Sequence, residues 1–166
     1  MQGIIITKPL IKYAEFKSKE LGSLRNSITS GMGNIAGMIG EVIALKKMGL
    51  APENLKSSES YEYDIIDNEG IKWDIKTKRR TVDPEPYHNC SVADFNTRQK
   101  CDRYLFVSLR NLEEGFVLGW ISKEDFYSKA TFNKKGSIDP KSPSSKIFKF
   151  TADCYNLEIK HLSPIK

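Results

Sequence analysis

The pattern of apolar and polar residues along the chain predicts a mixed α/β protein. Apolar side chains recur at helical spacing from residue 34 to about residue 48, and Gly49 follows as a typical C-terminal stop. A short helix is also predicted over 95–102, and another after Ser122. Strands are predicted for the two arms of a hairpin around Asn68-Glu69-Gly70 and for the segments 90–93, 104–109, 116–121 and 147–150.

The order of the central elements is helix, three strands, helix and strand. This order predicts an α/β fold with one central mixed sheet flanked by helices. The chain has 166 residues, 39% of them hydrophobic, which is enough for the core of a single domain 1–166. We expect the core to span about 34–121, with 122–166 as C-terminal additions.

One carboxylate interrupts the apolar side of the first long helix. Glu41 falls along the same helical stripe as Met38, Leu45 and Met48. A buried carboxylate is costly unless a cation lies beside it. The pattern therefore indicates that Glu41 has a charged partner elsewhere in the molecule.

The hairpin carries two further acids and a lysine. Asn68-Glu69-Gly70 is typical of a three-residue loop, with Gly70 in the left-handed conformation, and this loop pairs Asp67 with Ile71. Counting inward places Asp64 directly opposite Asp74, and strand alternation puts Lys76 on the same face.

Facing Cβ atoms lie only about 4.5–5.5 Å apart, and like charges there destabilise a sheet, so a cation is expected between the two aspartates. The other face of the hairpin is apolar. It carries Tyr63, Ile65, Trp73 and Ile75. Simple surface pairing of Asp74 with Lys76 is the plainer alternative.

Charge and cysteine content narrow the class of protein. The chain has 26 Lys and Arg against 21 Asp and Glu, a formal net charge of +5, which suits a phosphate-rich partner. Its three cysteines form no C-x-x-C pair and are expected to be reduced thiols of an intracellular protein. No apolar run reaches the length of a membrane span and no signal peptide is recognised, so we expect a cytoplasmic protein without a membrane partner.

The motifs Gly40-Glu41, Tyr63-Asp64 and Asp74-Ile75-Lys76 resemble those of the PD-(D/E)xK nuclease superfamily, which has the restriction-endonuclease-like fold. The resemblance covers about residues 34–110, with tyrosine in place of the nominal proline before Asp64. It implies that Asp64 and Asp74 bind Mg²⁺, with Mn²⁺ as a substitute, and that Glu41 completes the site directly or through water. Lys76 would then orient or activate the attacking water.

The resemblance adds a secondary candidate, Gln99 on the short second helix, where relatives sometimes carry a polar residue that leans toward the site. Magnesium prefers oxygen ligands and is typically held by one or two carboxylates plus substrate phosphate, which agrees with this donor set. Small enzymes of this class often act as homodimers, so a homodimer is an expected assembly.

The residues after the proposed site are basic. Lys78, Arg79 and Arg80 would contact the DNA backbone, and Tyr87 and His88 in the following loop could reach a groove or stack on a base. A solvated basic loop is the alternative. A zinc site at His88, Cys90 and Cys101 is disfavoured, because the spacing fits no standard site and a fourth ligand is absent.

These observations predict a metal-dependent DNA endonuclease that hydrolyses phosphodiester bonds. The alternative is a non-catalytic nucleic-acid-binding module that keeps the nuclease fold and vestigial carboxylates. A structural or protein-interaction domain would leave both the paired acids and the basic run unexplained.

Overall fold

The computed structural model describes residues 3–20, 32–55, 62–142 and 147–165. Within these ranges the α-helices are α1 (Lys8–Glu20), α2 (Met32–Met48) and α3 (Lys123–Lys129). Gly49 ends α2 with φ of 65°, the predicted left-handed stop. Ser122 caps α3 by accepting a hydrogen bond from the backbone N–H of Asp125.

Eight strands are formed within the same ranges. They are β1 (Ile4–Ile5), β2 (Ile65–Ile66), β3 (Lys72–Arg80), β4 (Asn89–Ala93), β5 (Arg103–Arg110), β6 (Glu114–Ser122), β7 (Thr131–Asn133) and β8 (Cys154–Glu158). Five of them form a mixed sheet in the order β1-β6-β5-β3-β2, in which β3 and β5 run parallel and the other neighbours are antiparallel. The expected α/β class is therefore confirmed.

The five-stranded sheet is covered on both faces. Leu105, Val107 and Leu109 of β5 point to the side where α2 packs, against the buried Ile39 and Ile43. The alternate residues of β5 belong to a second core on the opposite side, which also includes Phe126 of α3 and Val92 of β4. Burial on both faces explains why β5 is a nearly continuous apolar run.

The expectation of a single sheet is wrong. The segment expected as the third strand of the central sheet forms β4, but β4 pairs with β8 in a separate three-stranded sheet of order β4-β8-β7. The late strand is Cys154–Glu158 and not 147–150, where an isolated bridge joins Ile138 to Lys149. A sequence pattern cannot assign a short amphipathic strand to one sheet or another, because that choice depends on a distant pairing partner.

The two predicted helices of the core also differ in detail. The first begins at Met32, two residues earlier than expected. The second is a 3₁₀ helix over Asp94–Arg98, followed by an extended segment from Gln99 onward. Its only large apolar residue, Phe95, is 48% exposed, so no buried stripe sustains a longer helix.

No helix in the described part of the chain is long and apolar enough to cross a membrane.

Candidate metal and nucleic-acid site

The acidic hairpin has the predicted register. Ile65 pairs with Trp73 and Ile66 with Lys72, so Asp64 lies opposite Asp74 at the edge of the five-stranded sheet. Gly70 has φ of 81°, and Asp67 Oδ1 closes the turn by accepting 2.9 Å hydrogen bonds from the N–H groups of Glu69 and Ile71. The turn chemistry therefore fixes which carboxylates face each other.

Strand β2 is only two residues long, so strict alternation ends before Asp64. Tyr63 consequently packs into the core on the other side of the sheet from Ile65 and Trp73, which corrects the predicted apolar face. Asp64 is partly exposed, and its Oδ2 accepts a 2.7 Å hydrogen bond from the backbone N–H of Ile75. This bond holds the Asp64 carboxylate at the strand that carries Asp74.

The pKa of Asp64 is strongly perturbed. Burial, together with the negative charge of Asp74, raises the pKa of Asp64 to about 7, although Lys76 and the Ile75 N–H oppose the rise. A side-chain hydrogen bond with Asp74 also favours the protonated form of Asp64. Without a cation, the raised pKa favours protonation of Asp64 below about pH 7, at the place where the sequence predicts a cation.

Asp74, Lys76 and Gln99 form a closed polar ring. Lys76 Nζ lies 2.6 Å from Asp74 Oδ2 and donates a 3.0 Å hydrogen bond to Gln99 Oε1. Gln99 Nε2 in turn donates a 2.7 Å hydrogen bond to Asp74 Oδ1. Lys123 at the start of α3 donates to the backbone carbonyl of Gln99. Gln99 is thus the residue that positions both Asp74 and Lys76, although it follows the short helix rather than lying on it.

Helix α2 brings Glu41 toward these groups. Burial and the charges of Asp64 and Asp74 raise the pKa of Glu41 well above its ordinary value, and Lys76 partly offsets them. Glu41 is partly exposed and lies beside the buried stripe of α2, which centres on Ala36, Ile39, Ile43 and Ala44 and not on the predicted one. None of the ion pairs formed within the described ranges includes Glu41, so the cation expected beside it is not found there, and the hairpin acids act on Glu41 mainly by repulsion.

The donor set partly fits a divalent cation. Apart from its ion pair with Lys76, the buried Oδ2 of Asp74 has no hydrogen-bond donor among the described residues. Asp64 and Asp74 thus offer two hard oxygen ligands at one place, which suits magnesium with several retained waters. No three His, Cys, Asp or Glu side chains in the described ranges converge tightly enough to hold one metal ion, so direct ligation by Glu41 does not fit.

The basic residues after the site separate onto two faces of β3. Lys76, Lys78 and Arg80 alternate along the face that carries Asp74, whereas Arg79 is exposed on the opposite face. Lys78 Nζ and Arg80 Nη2 both donate to the backbone carbonyl of Asn89, at 3.3 and 2.9 Å. The predicted basic run is therefore not one continuous surface.

Tyr87 and His88 lie in the loop before β4. Tyr87 is 62% exposed and stacks edge-to-face on His88, with ring centroids 4.8 Å apart. His88 Nδ1 accepts a 2.9 Å hydrogen bond from the Glu85 N–H, and burial together with Arg80 lowers the pKa of His88. No group of three or more potential metal ligands in the described ranges includes His88.

Sequence reasoning missed two contributors to the site. A Cβ at Gly40 would lie 1.9 Å from Thr77 Oγ1, so this glycine sets how closely α2 approaches β3. Ser91 faces Lys78 across the gap between the sheets at 3.5 Å. The sequence draws attention to the acid of Gly40-Glu41 and not to its glycine. For Ser91, the alternation of polar and apolar residues in 89–93 is the available signal, because it places Ser91 on the side away from the buried Cys90 and Val92.

No protein-family model and no curated protein matches this chain.

Proposed function

We propose that this protein is a metal-dependent DNA endonuclease of the PD-(D/E)xK class. The observation that carries the proposal is the pair of facing aspartates, Asp64 and Asp74, beside Lys76. The raised pKa of Asp64 shows that the negative charge at this pair is poorly compensated, and a divalent cation would compensate it. Structural surface pairing would leave the opposed Asp64 unexplained.

Each residue has a role that follows from its position. Asp64 and Asp74 would hold Mg²⁺ or Mn²⁺, and Glu41 would act through a bound water. A bound cation would lower the pKa of the attacking water and neutralise charge on the phosphate. Lys76, anchored by Gln99, would hold that water and donate to a phosphate oxygen. Gln99 is a positioning residue, because it keeps Lys76 and Asp74 in register.

The arrangement of elements supports the restriction-endonuclease-like fold. Helix α2 packs on the face of β3 and β5, the two parallel strands, and the acidic hairpin forms the sheet edge beside β3. The face of β3 that points away from α2 carries Asp74 together with the basic residues Lys78 and Arg80. One DNA strand could therefore contact the acid and both basic residues. Tyr87 is exposed and His88 is partly exposed, so DNA bases could reach both.

The test is cleavage of plasmid, linear duplex, single-stranded and branched DNA with Mg²⁺ or Mn²⁺. Wild-type protein should cut at least one of them, and Asp74→Asn should lower the rate by about 100-fold or more, because half of the cation's carboxylate ligands is lost. The matched control is Glu124→Gln, which removes an exposed carboxylate on α3. DNA binding without metal should be unchanged in both variants.

Two results would overturn the proposal. One is a wild-type protein that leaves all four substrates intact with either cation. The other is an Asp74→Asn variant that cuts at the wild-type rate, which would remove Asp74 from the mechanism.

One observation favours a second function, a non-catalytic nucleic-acid-binding module. The described residues do not assemble three ligands around one point, as a preformed metal centre would. In that case the basic residues would carry the function and the acids would be vestigial. Metal binding separates the two functions, because only the nuclease requires a cation at Asp64 and Asp74.

A further inference from the structure

A narrow cleft separates β3 of the five-stranded sheet from β4 of the second sheet. Its volume is about 70 Å³, and its polar lining includes Lys76, Lys78 and Arg80 from β3 and Ser91 from β4. Small-molecule sites typically occupy about 300–1,000 Å³, so this cleft has room for one small polar group and not for a base or nucleoside. Lys76 also belongs to the ring around Asp74, which makes the cleft continuous with the candidate metal site.

Two cations converge in this cleft, and the negative charge of Asp139 acts on Lys78 without forming an ion pair with it. Lys78 Nζ and Arg80 Nη2 donate to the same carbonyl oxygen, that of Asn89. Arg80 Nε is buried and finds no hydrogen-bond acceptor among the described residues. None of the ion pairs formed within the described ranges includes either residue.

The electrostatics of the two side chains agree with this geometry. Desolvation between the sheets, followed by the charge of Arg80, lowers the pKa of Lys78, although part of the Lys78 side chain remains exposed. Arg80 is partly buried and Lys78 remains in contact with solvent, and two like charges held this close together favour the binding of an anion between them. The exposed part of Lys78 leaves the cleft open to such an anion from solvent.

The size and charge of the cleft favour a phosphomonoester. A phosphodiester carries one negative charge, whereas a phosphomonoester carries about −1.5 to −2 at pH 7 and therefore matches two cations. Arginine also binds phosphate oxygens through two parallel N–H groups, and Nε of Arg80 is free to serve as one of them. The ammonium of Lys78 and the hydroxyl of Ser91 would complete the contacts.

We propose that Lys78, Arg80 and Ser91 form a binding subsite for the terminal phosphate of a DNA strand. This inference rests on the proposed function for its substrate. Lys78 follows Asp74 by four positions of β3, a distance of about 13 Å along the strand. Stacked nucleotides repeat at about 3.4 Å, so the bond at the acids would lie about four nucleotides, or fewer in an extended strand, from the bound end. The subsite thereby sets the length of the first product.

The test compares three fluorescent single-stranded oligonucleotides of one sequence, with a 5′ phosphate, a 3′ phosphate or hydroxyls at both ends. Binding is measured by anisotropy in EDTA at constant ionic strength. One phosphorylated oligonucleotide should bind wild-type protein about tenfold tighter than the hydroxyl form, since hydrogen bonds to a charged phosphate are stronger than those to a neutral hydroxyl. Inorganic phosphate should compete away that preference.

The preference should disappear in Lys78→Gln and in Arg80→Gln. Arg79→Gln is the matched control, because it removes the same charge one residue away on the opposite face of β3, and it should keep the preference. Melting temperatures of the variants check that they fold, and the exposed Lys78 provides a variant that leaves the core untouched.

Three outcomes would overturn the subsite. Equal binding of all three oligonucleotides to wild-type protein would mean that the cleft does not recognise a strand end. Equal weakening of every oligonucleotide in Arg80→Gln would assign the cleft to internal phosphodiesters. A preference retained in both cleft variants would place the phosphate elsewhere. If the preference holds but no DNA is cut with Mg²⁺, the subsite stands and the proposed nuclease function fails.

Discussion

Asp64 and Asp74 carry charge that the protein neutralises only in part. Lys76 is the single cation in contact with Asp74 among the described residues, and Gln99 orients it without adding charge. Burial, followed by the charge of Asp74, raises the pKa of Asp64 to about 7. At this scale the candidate site is under electrostatic strain that either a proton or a metal ion can relieve.

Asp64 should make the metal-free protein less stable as pH rises. Its folded pKa of about 7 lies above the ordinary value of 3.8, so the folded state binds more protons than the unfolded state between these pH values. The free energy of unfolding should consequently fall from pH 4 to pH 7, by about 2–4 kcal/mol for this group. Urea denaturation in EDTA across this range measures it.

Asp64→Asn is the informative variant for this pH dependence. The amide oxygen can still accept the hydrogen bond from the Ile75 N–H, but it cannot ionise. The variant should lose most of the decline and be more stable than wild type above pH 7. A decline of unchanged size in Asp64→Asn would mean that Asp64 is not the titrating group.

Local chemistry in the sequence predicts part of the site. The Asn68-Glu69-Gly70 turn determines the hairpin register, which brings Asp64 and Asp74 together as expected. The ring formed by Gln99 could not be derived in the same way, because Gln99 reaches Asp74 from an extended segment 25 residues later in the chain. Long-range contacts of this kind depend on the tertiary fold and leave no periodic signal.

At the scale of elements, the site depends on how α2 sits against β3. Gly40 faces Thr77 so closely that a side chain has no room, and Glu41 is the next residue of the helix. The pattern of apolar residues predicts α2 and its end at Gly49. It also predicts a buried stripe that includes Glu41, whereas the buried side of the helix centres on Ile39 and Ile43. The second sheet was also missed, because β8 pairs with β4 across more than sixty residues, as Ser91 with Asn156.

Gly40→Ala should displace α2 and disturb the site. The new Cβ would lie 1.9 Å from Thr77 Oγ1 and 3.0 Å from Thr77 Cβ, and a β-branched side chain cannot easily rotate away. We expect a loss of about 1–3 kcal/mol in the free energy of unfolding, together with slower cleavage as Glu41 moves.

Gly37→Ala is the control within the same helix, because a Cβ there meets nothing within 4 Å. It should gain up to about 1 kcal/mol from helix propensity. Adding Thr77→Ala to Gly40→Ala should recover most of the loss, since it removes Oγ1 and Cγ2. Equal effects of the two glycine substitutions would refute the close-packing argument.

At the scale of the whole molecule, the acids, the cleft and the basic residues lie along one strand. One face of β3 carries, in order along the strand, Asp74, Lys76, Lys78 and Arg80. The electrostatic potential on this face therefore changes from negative at the start of β3 to positive at its end. The net charge of +5 attracts phosphate, while the acidic end offers two carboxylates to the divalent cation of the proposed function. Metal binding and DNA binding should therefore be separable.

Metal binding should stabilise the whole molecule at alkaline pH. A ligand at 100 times its dissociation constant adds about 2.7 kcal/mol to the free energy of unfolding, which is about 5–10 °C in melting temperature for a chain of this length. We expect Mn²⁺ to produce such a shift at pH 8. At pH 5 the shift should be much smaller, because the cation must displace the proton that the raised pKa of Asp64, about 7, retains there.

Asp74→Asn should abolish the metal-induced shift, and Glu124→Gln, which removes an exposed carboxylate far along the chain, should keep it. Differential scanning fluorimetry with and without Mn²⁺ measures all three proteins at both pH values. A wild-type protein with no shift would favour the non-catalytic binding module, because a cation then has no place in its function. A shift of equal size in Asp74→Asn would place the ion at other carboxylates and remove the metal role from the hairpin.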